Sequence, residues 1–178
     1  YQMLQPLPVM ARLAAEAPDM DQVFTAVLPL YNPVDLAEQV ASLDVITGGH
    51  AILVGALGYR EEEYDSFGVP SGERVSRMVE SLEIMKLLWA GDKVTYKGKH
   101  FQLSAVHIGI NPIQHPSPQV WIAASADRAV ERAGRLGYPW LINHSDYPTI
   151  ERQVAKYRSA LNNAGHNNVN TLPALREF

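Results

Sequence analysis

The stretch Asn32 to Glu63, NPVDLAEQVASLDVITGGHAILVGALGYREEE, decides the fold. Asn32 offers a side-chain acceptor for a helix N-terminus and Pro33 a preset first turn. Val34, Leu36, Ala37, Val40, Ala41 and Leu43 then recur at the helical period until Gly48-Gly49 ends the helix. Ala51 to Leu57 is apolar without alternation, the pattern of a strand covered on both faces. Glu61-Glu62-Glu63 opens a further helical segment, where acidic side chains suit the positive end of the helix dipole and read as a solvated face.

The same alternation extends outward. Leu7 to Ala17 reads as a helix stopped by Pro18-Asp19, and Val23 to Leu28 as a short buried strand. Beyond Glu73 the stripe Val75, Met78, Val79, Leu82, Met85, Leu88 and Trp89 predicts a long amphipathic helix ended by Gly91, with Arg74, Arg77 and Lys86 on its surface. Val120 to Ala124 and Trp140 to Ile142 read as strands, Arg128 to Leu136 as a helix, and a last helix starts near Pro148 with Ile150, Val154, Tyr157 and Leu161 inward. A short strand is expected from Leu175.

Residues 91–118 break the rhythm. Val94-Thr95-Tyr96 and Phe101-Gln102-Leu103 flank Lys97-Gly98-Lys99 as a hairpin, and Pro112, Pro116 and Pro118 mark an extended crossing. The chain is therefore read as one α/β domain over 1–178 with an insertion at about 91–118. Buried strands separated by helices imply a parallel sheet, open or closed, and ligands gather at the carboxyl ends of such strands. Those ends are residues 28–32, 57–60, 124–127 and 143–146.

Composition narrows the function classes. With 178 residues, 47% hydrophobic and 19% charged, the chain can bury an ordinary globular core. A net charge of −4 without any Lys/Arg cluster gives no footprint for nucleic acid. The absence of cysteine removes disulfides, thiolate metal ligands and a cysteine nucleophile, and suits a cytoplasmic location. No apolar run reaches the roughly 18 residues of a membrane span. His100, His107, His115 and His166 lack metal-ligand spacing, so no metal is expected.

Two glycines within Leu53-Val54-Gly55-Ala56-Leu57-Gly58-Tyr59 weaken a strand, and they leave two readings open: a tight helix–strand contact, or a ligand approaching the backbone.

The segments PLYNPVDLAEQVASLDVITGG, GYREEEYDSFGVPSGERVSRMVESLEIMKLLWAG, YKGKHFQLSAVHI and PSPQVWIAASADRAVERAGRLGYPWL resemble, in order, the bacterial luciferase-like family of flavin-dependent monooxygenases and oxidoreductases. The resemblance implies an incomplete (β/α)8 TIM barrel, roughly strands three to six and the start of the seventh. It also implies a flavoprotein that uses reduced FMN and O2, or alternatively a deazaflavin, on a small-molecule substrate, with a flavin reductase as a possible partner. A scaffold that binds flavin without turnover is the reading from another class. Open strand edges imply a homo-oligomer or a longer chain.

Residue by residue, the resemblance places Thr25, Ala26 and Val27 beneath the flavin ring and predicts a non-proline cis bond between Ala26 and Val27, against the reading of an ordinary buried strand. It places Leu57, Gly58 and Tyr59 against the ribityl and phosphate, and Ala124, Ser125 and Ala126 at a phosphate-holding turn where helix N–H groups favour an anion. Asp127 is expected to turn away from that anion as a helix N-cap, beside Arg128. His144 is the candidate acid/base, against the reading of a solvated loop histidine. His50 stands where relatives usually carry arginine.

Overall fold

The computed structural model describes residues 4–143, 146–167, 169 and 172–174. They fall into two compact units, Tyr1–Gln119 and Val120–Phe178, which are taken in turn.

In the first unit, helix α1 (Pro6–Glu16) leads into strand β1 (Gln22–Val27) and a single 3-10 turn (Leu28–Leu30). Asn32 then caps helix α2 (Pro33–Ile46), its side chain accepting the Val34 N–H at 2.9 Å, so cap and first-turn proline act as their residue types dictate. Strand β2 (Ala51–Ala56) lies parallel to β1, with Thr25 opposite Val54 and Val27 opposite Ala56. The first five residues of β2 are buried. β1 instead alternates: Gln22, Phe24 and Ala26 are buried, while Val23 and Thr25 are exposed. The expectation of a strand covered on both faces holds for β2 and fails for β1.

Helix α3 (Glu61–Ser66) precedes helix α4 (Arg74–Trp89). Met78, Leu82, Met85 and Leu88 of α4 are almost fully buried, each stabilising by roughly 1.5–3 kcal/mol relative to exposure. Trp89 reaches across to α2, where its indole N–H donates to the Ala37 carbonyl at 3.0 Å. The insertion forms an antiparallel hairpin of β3 (Val94–Lys97) and β4 (Gln102–Val106).

Three carboxylates fix the main chain of the insertion to helices, among them Glu38 of α2, which accepts the Gly109 N–H at 3.1 Å. Glu80 of α4 accepts the backbone N–H groups of Lys99, His100 and Phe101. The turn passes so close that a β-carbon on Gly98 would sit 2.2 Å from the Glu80 Oε2 atom. The buried Asp44 of α2 accepts the N–H groups of Ile113 at 2.6 Å and Gln114 at 2.9 Å, and the Gln114 side-chain amide at 2.5 Å.

In the second unit, strand β5 (Gln119–Ala124) pairs in parallel with β6 (Trp140–Ile142), and helix α5 (Asp127–Leu136) packs on α6 (Tyr147–Asn163). Gly137, at φ 74°, closes α5 in the left-handed conformation. Asp146 caps α6 by accepting the Thr149 N–H at 2.9 Å. The helices touch at Gly134, where a β-carbon would lie 2.6 Å from the Tyr157 carbonyl oxygen. Trp140 and Tyr157 meet with ring centroids 6.2 Å apart, and the Tyr157 hydroxyl donates to the Tyr138 carbonyl. Ile142 donates to the Pro173 carbonyl and bridges Ala174 in parallel; the strand expected from Leu175 lies outside the described residues. Among the described residues no helix is long and apolar enough to cross a membrane.

Candidate functional site

In the first unit the parallel register puts the carboxyl ends of β1 and β2 side by side, so Thr25, Ala26 and Val27 neighbour the segment that begins at Leu57. Thr25 is exposed, Ala26 buried and Val27 half-buried. The cis peptide bond among the described residues is His115–Pro116. The Ala26–Val27 bond is therefore trans, a correction to the expected bulge, and the ladder runs regularly through both residues.

The glycine question also has a specific answer at position 58. Gly58 adopts φ 72°, and a β-carbon there would lie 2.7 Å from Val27 Cγ1. Of the two readings, close packing is present: the space a side chain would take is occupied by Val27. Leu57, Gly58 and Tyr59 form the turn into α3, and the Leu57 carbonyl accepts the hydroxyl of the buried Tyr64. Burial pushes the Tyr64 phenol above its usual value. Tyr59 is 82% exposed, with the Arg60 guanidinium 5.6 Å from its ring centroid. Arg60 also approaches Glu63 at 3.6 Å and Arg74 approaches Glu61 at 3.5 Å, so the acidic run is a solvated, ion-paired face.

In the second unit, the Trp140 indole donates to the Ala124 carbonyl at 2.9 Å and the Gln153 side chain to the Ser125 carbonyl at 2.7 Å, fixing the turn after β5. Ala126 occupies the N-cap position of α5 without any side-chain cap. That corrects the expectation for Asp127, which is the first helical residue. Its carboxylate is nevertheless turned aside, accepting from Arg152 and from Gln153 at 3.1 Å and pairing with Lys156 at 2.9 Å. Lys156, then Gln153 and Arg152, pull the Asp127 carboxyl down to about 2 against an opposing desolvation. Among the described residues, the Ser125 hydroxyl and the N–H groups of Asp127 and Arg128 donate to no partner. Neutralised Asp127 and open first-turn donors fit an anionic phosphate.

His50 and His100 make structural contacts away from these strand ends. His144 lies outside the described residues. His50 pairs with Asp21 at 3.0 Å at the amino end of β1 and β2, opposite the strand ends that ligands favour. His100 is buried between the Ser76 hydroxyl at 2.7 Å and the Glu73 carboxylate at 3.2 Å, bracing the hairpin against α4. Arg77, expected on the surface, is instead partly covered and stacks 5.7 Å from the Phe101 ring centroid. Sequence reasoning missed Tyr64 and Gln153. Gln153 carried a usable signal, because it shares helical spacing with Ile150 and Tyr157.

Parallel strands with intervening helices and open donors at strand ends define an α/β protein. Luciferase-like monooxygenase is the family whose profile matches residues 1–175, and the chain belongs to that family. It is 30% identical over 149 residues to the phthiodiolone/phenolphthiodiolone dimycocerosates ketoreductase of Mycobacterium kansasii, covering 80% of this chain and 40% of that protein. Its fold matches the oxygenating constituent of 3,6-diketocamphane monooxygenase of Pseudomonas putida, a Type II Baeyer-Villiger monooxygenase solved in complex with FMN. That match has a TM-score of 0.83 and 19% identity, and covers 93% of this chain and 50% of the other. It also matches the coenzyme F420 dependent tetrahydromethanopterin reductase of Methanopyrus kandleri, with a TM-score of 0.76 and 21% identity, covering 92% and 51%. The chain thus spans about two fifths of that curated relative and about half of these solved chains. Its fold is that of part of a luciferase-like (β/α)8 barrel, with no closed barrel among the described residues.

Proposed function

We propose that the chain forms part of a flavin-dependent oxidoreductase, a monooxygenase that uses reduced FMN and O2 on a small organic substrate. The observation that carries this reading is the register of Val27 with Ala56, which sets Thr25–Val27 and Leu57–Tyr59 side by side at the strand end where ligands bind. In the second unit, the open donors of Ser125, Asp127 and Arg128 support a phosphate role for Ala124, Ser125 and Ala126.

When bound, reduced flavin supplies the electrons that activate O2. This chain's part is orientation. Thr25, Ala26 and Val27 would lie beneath the flavin ring, and Leu57, Gly58 and Tyr59 would hold its ribityl and phosphate. A flavin reductase would supply reduced FMN from solution. Deazaflavin-dependent reduction is the second reading, favoured by the similarity to a ketoreductase and to an F420-dependent enzyme.

Equilibrium titration of the whole protein with FMN and with coenzyme F420, followed by O2 uptake in the presence of a flavin reductase and NADH, tests the proposal. FMN binding with substrate-dependent O2 uptake is expected. F420 binding with anaerobic substrate reduction would replace it by the second reading, and FMN binding without turnover would indicate a flavin-binding scaffold. Binding of neither overturns the flavin assignment.

A further inference from the structure

We infer that Tyr64 is the positioning residue that holds the Leu57–Tyr59 turn in its cofactor-ready conformation, an assignment that rests on the flavin reading above. Leu57 follows the last residue of β2 in the parallel ladder, so its carbonyl has left the sheet and needs another donor. The Tyr64 hydroxyl supplies it from α3. The ring also forms one wall around Gly58: a β-carbon there would lie 3.7 Å from Tyr64 Cε2 and 2.7 Å from Val27 Cγ1. Gly58 is therefore held between the end of β1 and the side chain of α3, with its backbone in a conformation other residues resist. Tyr64 itself is 1% exposed. It acts through Leu57 and Gly58 and does not line the exposed strand end, where Tyr59 stands.

The matched comparison is Tyr157, another buried tyrosine whose hydroxyl donates to a main-chain carbonyl, that of Tyr138, in the second unit. Tyr64→Phe and Tyr157→Phe each delete one bond of the same kind. If Tyr64 positions the turn, Y64F raises the dissociation constant for FMN, or for F420 if that is what the wild-type protein takes, by about three- to tenfold. It also shifts the visible absorption band of the bound flavin. Y157F keeps its ring packed on Trp140 and deletes only the bond to the Tyr138 carbonyl, so it leaves the constant within about twofold. A wild-type protein that binds its flavin while Y64F binds it equally, with the same spectrum, overturns this inference alone. A wild-type protein that binds neither overturns the flavin reading and this inference with it. Backbone ¹⁵N relaxation on the wild-type protein needs no variant: order parameters at Gly58 and Tyr59 are expected near the rigid value of about 0.85. Values below about 0.6 at Gly58 and Tyr59 overturn the inference.

Discussion

Val27 Cγ1 stands 2.7 Å from the point where any side chain at Gly58 would begin. Gly58 also has φ 72°, so Gly58→Ala meets both backbone strain and overpacking. Together these cost about 2–4 kcal/mol. Urea denaturation is expected to show that loss, and Val27→Ala in the same chain should recover part of it. A double-mutant cycle without coupling between the two positions would contradict the contact.

Asp44 is buried and accepts three N–H groups from Ile113 and Gln114. Asp44→Ala leaves those donors facing a carbon atom, and a loss of about 3 kcal/mol is expected in chemical denaturation. Asp44→Asn retains one acceptor oxygen and should fall between the two.

Glu80 ties the hairpin turn to α4 through three main-chain donors. Desolvation pushes its carboxyl up, but the N–H groups of His100, Lys99 and Phe101 outweigh it and hold the value below 4.5. A depressed folded value stabilises above the unfolded one. The contribution is therefore complete above pH 4.5 and is lost as pH falls through the folded value. Hydrogen exchange of the Lys99, His100 and Phe101 amides should accelerate, beyond its intrinsic pH dependence, over that acid range. In Glu80→Gln the same amides should lose protection at neutral pH and show no such acid step.

Asp127 is held down to about 2 by Lys156, Gln153 and Arg152. By the same sign, its contribution to stability is present above 3.8 and disappears as pH falls through about 2. Carbon-detected NMR should place its carboxyl midpoint near that lower value. Asp127→Asn should let the Lys156 ammonium, now held above its usual value by Asp127, return toward it. An Asp127 midpoint near 3.8 would show that the cluster with α6 does not persist in solution.

The order of helices and strands was legible because punctuation is local. Asn32-Pro33, Gly91 and Gly137 start or stop helices through their own backbone chemistry, and α2, α4, α5 and β2 lie close to the positions their patterns predict. What escaped depends on contacts remote in sequence. Nothing periodic announces that Val27 fills the space above Gly58, or that Asp127 faces α6 rather than capping its own helix. Likewise the alternation of burial along β1 reflects which neighbours cover the strand, and its run of apolar and small residues carries no trace of that. The strand ends themselves were legible, whereas the side chains that brace them were not.

Asp44 and Glu80 each devote a carboxylate to main-chain amides of residues 91–118, and main-chain amides are indifferent to the side chains they carry. The insertion is thus moored at Asp44, Glu80 and Glu38, largely through bonds to its main chain. Exposed positions such as Lys97 and Lys99 can therefore vary while α2 and α4 stay unchanged, whereas Gly98, His100 and Gln114, which crowd or bond the helices, are held.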